Sequence, residues 1–567
     1  MVTVIETLRE RLHAALRGLG LPVDQTMQVV PAADPRFGDY QTNAGMVLAK
    51  ERKENPRLLA ERIAQAVDVS GISKPPEVAG PGFINFRLER KFIASQVIKA
   101  YADERLGVAQ TDDPKTLIIE FSSPNIAKPM HVGHIRSTVL GDVLARVARF
   151  IGHVVITDNH LGDWGTQFGK VIYGWKNLRD EAALATHPVD ELVRLYRAAD
   201  AAAKEDPGTL EACRNELIKL QQGDPENIAI WRKCIELSKT EFAGVYRILG
   251  VEFDQQLGES FYNSELSNIV ERLLKSGIAE VSEGAVVVWD RTLSDAPFMI
   301  RKSDGGFGYA ITDAATLDYR VRHWNPDGIW YVVGTPQQLH FQQLFSLARK
   351  LGLKLDLQHI GFGSILGEDR KMMRTRSGDS VPLRELLDEA VTRAKALVME
   401  KNPELAQEEV EQIGQIVGIG AIKYTELSQH RLTDYVFAWS KMLSFQGNTA
   451  PYLQNAYVRS RSIFRRLKEQ FHPPSQVELG DPAEEKLAKK LLQFGEAVPA
   501  VLDGFRPNVL ANYLYELAAE YHVFYEQCPV LSAATDQRNQ RLLLSDLFAR
   551  TLKLGLQLLG IEVPERM

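Results

Sequence analysis

Residues 122–138 read SSPNIAKPMHVGHIRST, with His131 and His134 three apart, Gly133 just before the second, and Asn125 and Lys128 close upstream. A pair at this spacing can ligate a metal, grip a nucleotide or sit in a core, and the letters alone leave all three open. Their neighbourhood is more informative. TLIIEF, starting at Thr116, is a short apolar β-branched run of the kind found in buried parallel strands. The histidine stretch then opens a helical pattern, HIRSTVLGDVLARVARFIG, and a second buried strand, HVVIT, leads into DNHLGDWGTQFGK. Strand, helix and strand in this succession make the βαβ unit of an α/β nucleotide-binding sheet, in which ligands sit at the carboxyl ends of the strands.

That position favours a phosphate-bearing ligand. A helix N-terminus offers partial positive charge, and Lys128 can reach the same phosphates. On a helix the two rings would share one face. Neutral imidazoles there hydrogen-bond phosphate oxygens, and protonated ones balance charge on a pentavalent transition state. Gly133 removes a side chain where a flat base can lie against the backbone. A zinc site would want a third ligand, usually with an HExxH-type pair, and none stands nearby.

Working outward, GIWYVVG and LQHIGFGSIL are expected to supply further strands of the same sheet, while residues 175–280 form a charged, helix-prone insertion without assignable chemistry. Upstream, Ile5, Leu8, Leu12 and Leu16 mark an amphipathic helix, and GPGFINFRLE reads as a strand. Beyond residue 385 strand signals thin and helical periodicity takes over, as with Leu487, Leu491 and Phe494. The expected organisation is an α+β unit over 1–108, a Rossmann-type parallel-sheet domain over 113–385, a helical junction over 386–427 and an all-α bundle over 428–567.

Composition sets bounds. At 567 residues the chain exceeds one hydrophobic core, and 45% hydrophobic with 25% charged residues is ordinary globular usage. No apolar run is long enough to span a bilayer, and MVTVIETLRERLHAAL lacks the apolar centre of a signal peptide, so a cytoplasmic location is expected. Cys213, Cys234 and Cys528 are far apart, which argues against a disulfide framework and a structural zinc site. A net charge of −6 neither advertises nor excludes a nucleic-acid partner, because a local basic face suffices.

HVGH resembles the HIGH signature of class I aminoacyl-tRNA synthetases, and EFSSPNIAKPMHVGHIRST followed by LGDWGTQFG is similar to the arginyl-tRNA synthetase family in particular. The similarity runs through FGDYQTNAGMVLAK near the start and GNTAPYLQNAYVRSRSI in the C-terminal region. The resemblance implies ligation of arginine to its tRNA through an arginyl-adenylate, with ATP as substrate, magnesium present and no zinc. It implies activation only with tRNA bound. The first domain would meet the tRNA elbow, and the helical bundle the anticodon.

Residue by residue, the resemblance assigns His131, Gly133 and His134 to ATP. It assigns Glu120, Ser123, Asn125, His134, Tyr309, Asp313 and Gln337 to arginine, a cation best read by carboxylates. The second class I signature is degenerate here: ILGEDRKMMRTRSGDSVPL offers Lys371, Arg374 and Arg376, and Lys128 would compensate for what it lacks. In YVRSRSIFRRLKEQF, Arg459, Arg461, Arg465, Arg466 and Lys468 interleave with Tyr457 and Phe464, the chemistry of phosphate contact and base stacking. Nothing demands more than a monomer. A silent tRNA-binding paralogue and a small-molecule nucleotidyltransferase are the competing readings. The intact histidines and Lys128 oppose the first, and the additional terminal domains oppose the second.

Overall fold

Thr116–Glu120 (β1), buried from Leu117 onward, is the strand that organises the computed structural model, which describes residues 2–23, 27–32, 34–373, 380–467 and 469–567. Val132–Phe150 (α1) follows it and returns the chain to Val154–Asp158 (β2), parallel to β1 with Glu120 opposite Asp158. On the other side of β1 lies Gly328–Tyr331 (β3), with Tyr331 beside Glu120, and beyond it Asp356–His359 (β4). The four-stranded order β4-β3-β1-β2 is parallel throughout. The chain reverses direction across the sheet between β1 and β3, and such a switch point opens a crevice at the strands' carboxyl ends.

The LQHIGFGSIL stretch divides in a way its apolar letters do not announce. Asp356–His359 joins the sheet, but Ile365–Leu366 (β5) pairs with Tyr435–Val436 (β6) in a separate two-stranded ladder. Two residues of ladder are too short to leave a periodic trace.

Before β3, Tyr309–Trp324 (α2) packs Ile311, Ala314, Ala315 and Leu317 into a core shared with Ile118, Ile329 and Tyr331. Gln338–Lys350 (α3) adds Phe341, Leu344 and Leu347 to the same core. The insertion is helical: Gln167–Leu178, Pro188–Glu205, Pro207–Gln221 and Pro225–Leu249 are its long members, three of them started by Pro at the first turn. Leu383–Lys401 (α4) and Gln407–Ser428 (α5) follow β5.

These elements belong to one compact unit, Thr111–Ser444 with Leu559–Ile561. The two ends of the chain make up the other, Met1–Gln110 with Phe445–Leu558 and Glu562–Met567. In that second unit the opening helix Val4–Gly18 buries Leu8, Leu12 and Leu16, and Phe83–Phe86 is a strand of a four-stranded antiparallel sheet. Its long C-terminal helices are Ala450–Arg466 (α6), Pro507–Gln527 (α7) and Thr535–Leu558 (α8). Among the described residues no helix is long and apolar enough to cross a membrane.

Candidate active site

His131 is not inside the helix but is its N-cap, with extended φ −117° and ψ 169°. The two histidines therefore meet by capping rather than by helical periodicity. His131 Nδ1 accepts from the N–H of Gly133 at 3.1 Å, and His134 Nδ1 lies 3.1 Å from the N–H of His131. This is a capping box in which imidazoles replace the usual hydroxyl and carboxylate. The carbonyl of His131 is farther from His134 Nδ1, at 3.3 Å, so the fixed N–H donor assigns that nitrogen as an acceptor. Both ring protons then sit on Nε2, the nitrogens left for a ligand.

The rings lie 4.0 Å apart and neither carries charge readily. Burial, then His131, pushes His134 down to about 3, and burial, then Lys128, lowers His131. Without a ligand, the pair is thus held toward its neutral form. Gly133 is required by this cap, since a Cβ would stand 2.9 Å from His131 Cε1.

The turn feeding the helix is held in an uncommon shape. Ser122, Ser123 and Ala127 have φ of 73°, 48° and 59°, the left-handed region that side chains rarely adopt. Hydrogen bonds hold them there. Ser122 N donates to Ser137 Oγ at 2.9 Å, and Ser137 in turn donates to the Val332 carbonyl at 2.6 Å. Ser123 N donates to Asn159 Oδ1 at 3.1 Å. The turn is thereby tied to the carboxyl ends of β3 and β2. Ser123 Oγ is buried without a partner among the described residues, and Asn125 and Lys128 are exposed.

Acids gather at the same edge. Glu120 Oε2 lies 2.6 Å from Arg320 Nη2, and the same nitrogen is 2.7 Å from Asp158 Oδ2, with Arg320 fully buried. Glu120 was expected to face substrate, yet one of its oxygens is committed to this internal triad, whose charge sums to −1. Asp313 pairs with His340 of α3, and Tyr309, four residues earlier on α2, is 74% exposed. Gln337 is exposed at the start of α3.

Glu259 is a residue that sequence reasoning missed. Burial pushes its carboxyl up to about 7, opposed by His160 and reinforced by the nearby charges of Asp313 and Asp163. Nothing local marks it, because it comes from a segment bridged to the end of β2 through Leu161 and Gly258. His160 is buried there, and neither ring nitrogen has a hydrogen-bond partner among the described residues. An edge with more carboxylates than cations favours a cationic ligand.

Lys371 follows β5 and is exposed; its carbonyl accepts from Gly367 N at 2.8 Å. Arg374 and Arg376 lie outside the described residues. Among the described residues no group of three or more His, Cys, Asp or Glu side chains could hold a metal.

In the terminal unit the four arginines of α6 have separate fates. Arg461 is ion-paired to Asp546 at 2.7 Å, and Arg465 donates to the Glu565 carbonyl at 3.0 Å. Arg466 is exposed. Arg459 stacks 4.3 Å over the Tyr525 ring and lines a cavity of about 270 Å³ together with Phe445, Tyr452, His522 and Tyr525. Tyr457, expected as a stacking surface, is instead buried in the bundle, because it sits on the core face of the helix. The aromatic wall comes from α7, which the basic string alone did not include.

A parallel sheet reversing beside a histidine-capped turn is the architecture of a class I aminoacyl-tRNA synthetase, and the family described as tRNA synthetases class I (R), catalytic domain, matches residues 96–439. A DALR anticodon binding domain matches residues 453–567, and an arginyl tRNA synthetase N terminal domain matches residues 6–88. The chain belongs to the arginine–tRNA ligase family. It is 43% identical to arginine–tRNA ligases from Chromobacterium violaceum and Cellvibrio japonicus over 100% of both chains in each case. Its fold matches arginyl-tRNA synthetase from Plasmodium falciparum with a TM-score of 0.87 at 29% identity, covering 100% of both chains. The Thermus thermophilus arginyl-tRNA synthetase gives 0.84 at 26% identity, covering 99% of this chain and 100% of that one.

Proposed function

We propose that the chain joins arginine to its tRNA in two steps. An arginine carboxylate oxygen attacks the α-phosphorus of ATP, the bond to the bridging oxygen breaks, and pyrophosphate leaves. A ribose hydroxyl of the tRNA's terminal adenosine then attacks the arginyl carbonyl carbon, and AMP leaves. Neither step needs a protein nucleophile, so the protein's task is placement and charge stabilisation.

The observation that carries this reading is the imidazole capping box at the sheet's switch point, which takes up both Nδ1 atoms and leaves two Nε2–H groups as donors. These groups, with the exposed Lys128 and Lys371, are the donors for the phosphates. Gly133 leaves the start of the helix open to the nucleotide. Magnesium enters with ATP, held by its phosphates.

Asp313 and Glu259 are the acids for the guanidinium, with Tyr309 and Gln337 at the pocket's rim. Ser123, Asn125, His134 and Glu120 attend the amino-acid end. Ser123 Oγ and the His160 nitrogens, without partners among the described residues, fit a polar substrate among them. The Arg459 cavity suits an unpaired base, with aromatic faces to stack on and a cation for phosphate, while Arg461, Arg465 and Arg466 add to the local basic field. We expect a cytoplasmic monomer.

The test is arginine-dependent ATP–pyrophosphate exchange by the purified chain, with and without arginine tRNA. Exchange that appears only with tRNA supports the whole reading, including tRNA-dependent assembly of the site. Exchange without tRNA removes that dependence. Absence of exchange in folded, tRNA-binding protein rules out the ligase and leaves the silent paralogue.

A further inference from the structure

The segment bearing Lys371 is fastened at its exit to the histidine segment and at its entry to β6. At the exit the tie is backbone: Val132 N donates to the Val381 carbonyl at 2.9 Å, Leu383 N to the Met130 carbonyl at 2.8 Å, and His131 bridges Pro382. At the entry β5 is zipped to β6, with Phe437 N donating to the Leu366 carbonyl at 2.9 Å, and Leu366 in turn bridges Met372.

What holds β6 in place is a buried polar group that the chemistry above does not use. Arg136, one turn beyond the capping box on α1, lies 3.1 Å from Glu426 Oε2, with each side chain only 4% exposed. The Tyr435 hydroxyl donates to the other Glu426 oxygen. Arg136 Nη1 donates to the Thr433 carbonyl at 3.0 Å, and its guanidinium lies 5.4 Å from the centre of the Tyr435 ring. A buried ion pair of this kind is poor value as a stabiliser, since apolar packing of equal volume does as well, and its best-attested use is to fix register.

We infer that Arg136, Glu426 and Tyr435 are positioning residues for adenylate formation: they lock β6, and through it the β5 root of the Lys371 segment, to the helix that carries His131 and His134. The distance between two groups acting on one triphosphate is then set by a side-chain network on one flank and by backbone on the other. Misplacement of about 1 Å at reacting groups is enough to cost a large factor in rate. The inference rests on the reading that these histidines and Lys371 serve the phosphates.

The variants are Tyr435→Phe and Glu426→Gln in the full chain, assayed by arginine-dependent pyrophosphate exchange with tRNA present. Lys423→Met is the control, a neighbouring buried polar residue on α5 whose amine donates instead to the Gly560 carbonyl at 2.6 Å. Expected is a roughly five- to tenfold fall in kcat/KM for ATP in both network variants. KM for arginine and affinity for tRNA should stay within about twofold, as neither ligand's groups are touched. The double variant should be no worse than the poorer single one, as for residues acting as a unit. Tyr435→Phe removes one oxygen and keeps the ring, so it remains informative should Glu426→Gln not fold.

Unchanged ATP kinetics in folded Tyr435→Phe would overturn the inference. So would parallel losses for ATP and arginine that merely track melting temperature, as in the control. If His134→Asn and Lys371→Met also leave ATP kinetics untouched, the phosphate reading fails and takes this inference with it. If they reduce them while Tyr435→Phe does not, only the positioning role is lost.

Discussion

The two segments that answer to the class signatures are built on opposite principles. In the histidine turn both imidazoles are fixed by backbone: each Nδ1 is an acceptor for a main-chain N–H, and the preceding turn holds three non-glycine residues in left-handed conformations. In the other segment Lys371 is exposed, and the hydrogen bonds formed by its own backbone stay within one tight turn, to Asp369 and Gly367. The first presents neutral donors at a defined place, and the second presents charge. A neutral donor is useful only when aimed, whereas a cation acts over distance and tolerates looser placement.

The sharpest way to break this contrast is at His134. Its Nδ1 completes the cap and its Nε2 is the proposed donor, so His134→Ala removes both. Loss of one preorganised donor costs ~10²–10³-fold in kcat, and the missing cap adds instability of ~1 kcal/mol. His134→Asn keeps a short acceptor near the cap and should recover stability while kcat stays low, as separate melting and exchange measurements would reveal. An Asn variant with near-normal exchange would show that the box is structural only.

Next in size is Asp313, the carboxylate proposed to read the guanidinium. Asp313→Asn leaves a ligand cation facing an amide and the partner His340 without its acid, and should raise KM for arginine by ~10²-fold, the scale for breaking a charge pair of 2–5 kcal/mol. KM for ATP should not follow. A joint rise in both would move Asp313 out of the arginine pocket and into general scaffolding.

Glu259 gives this acid pair a dependence on pH. Its free carboxyl titrates at about 7, raised chiefly by burial, so at pH 6 most molecules carry it protonated and neutral. A guanidinium beside it favours the ionised form, and binding must then release a proton. KM for arginine should therefore fall as pH rises from 6 through 7 and level off by 8. Glu259→Gln should flatten the profile at a high KM. A profile unchanged by that substitution would assign the pH dependence elsewhere.

Why was one acid legible in the sequence and the other hidden? β1, α1 and β2 are continuous in the chain, so apolar runs and a helical period identify the unit, and with it the place of His131, His134 and Lys128. Asp313 is singled out by the family resemblance, with Tyr309 one turn away on the same helix. Glu259, Arg320 and His340 reach the site from three segments, and each looks ordinary in its own. Arg320 reads as one more charged residue on a helix until β1 and β2 bring Glu120 and Asp158 against it. The same limit operated in α6, where YVRSRSIFRR shows its charges but not which face is buried, and the aromatic partners of Arg459 lie on α7.

The two exposed lysines test the contrast of aimed donor against diffuse charge directly. Lys128 lies close enough to His131 to lower its proton affinity, whereas Lys371 depends on the second segment for its position. Lys128→Met should reduce kcat for exchange by ~10–100-fold, and Lys371→Met by ~10-fold or less, the range for one electrostatic contact to a transferring phosphate. The reverse order would return the leading role to the degenerate signature and end the idea that Lys128 compensates for it.

The arginines of the terminal unit act on tRNA binding rather than on exchange, and their order follows from what each already touches. Arg459 lines the aromatic cavity, so Arg459→Ala removes a stacking partner and a cation together and should weaken tRNA binding by ~10-fold or more, on the scale of one stacked base. Arg461 is held by Asp546, and releasing that partner offsets part of what the charge contributes. Arg466 is exposed, so Arg466→Ala should lower affinity only about two- to threefold and reduce the salt slope by somewhat under one counterion. Filter binding across a salt series separates the cases: a cavity contact keeps its deficit at high salt, whereas a purely electrostatic one converges on wild type. Should Arg466→Ala hold its deficit at high salt and Arg459→Ala lose its own, the base would belong outside the cavity, and the basic string rather than the aromatic wall would be the recognition surface.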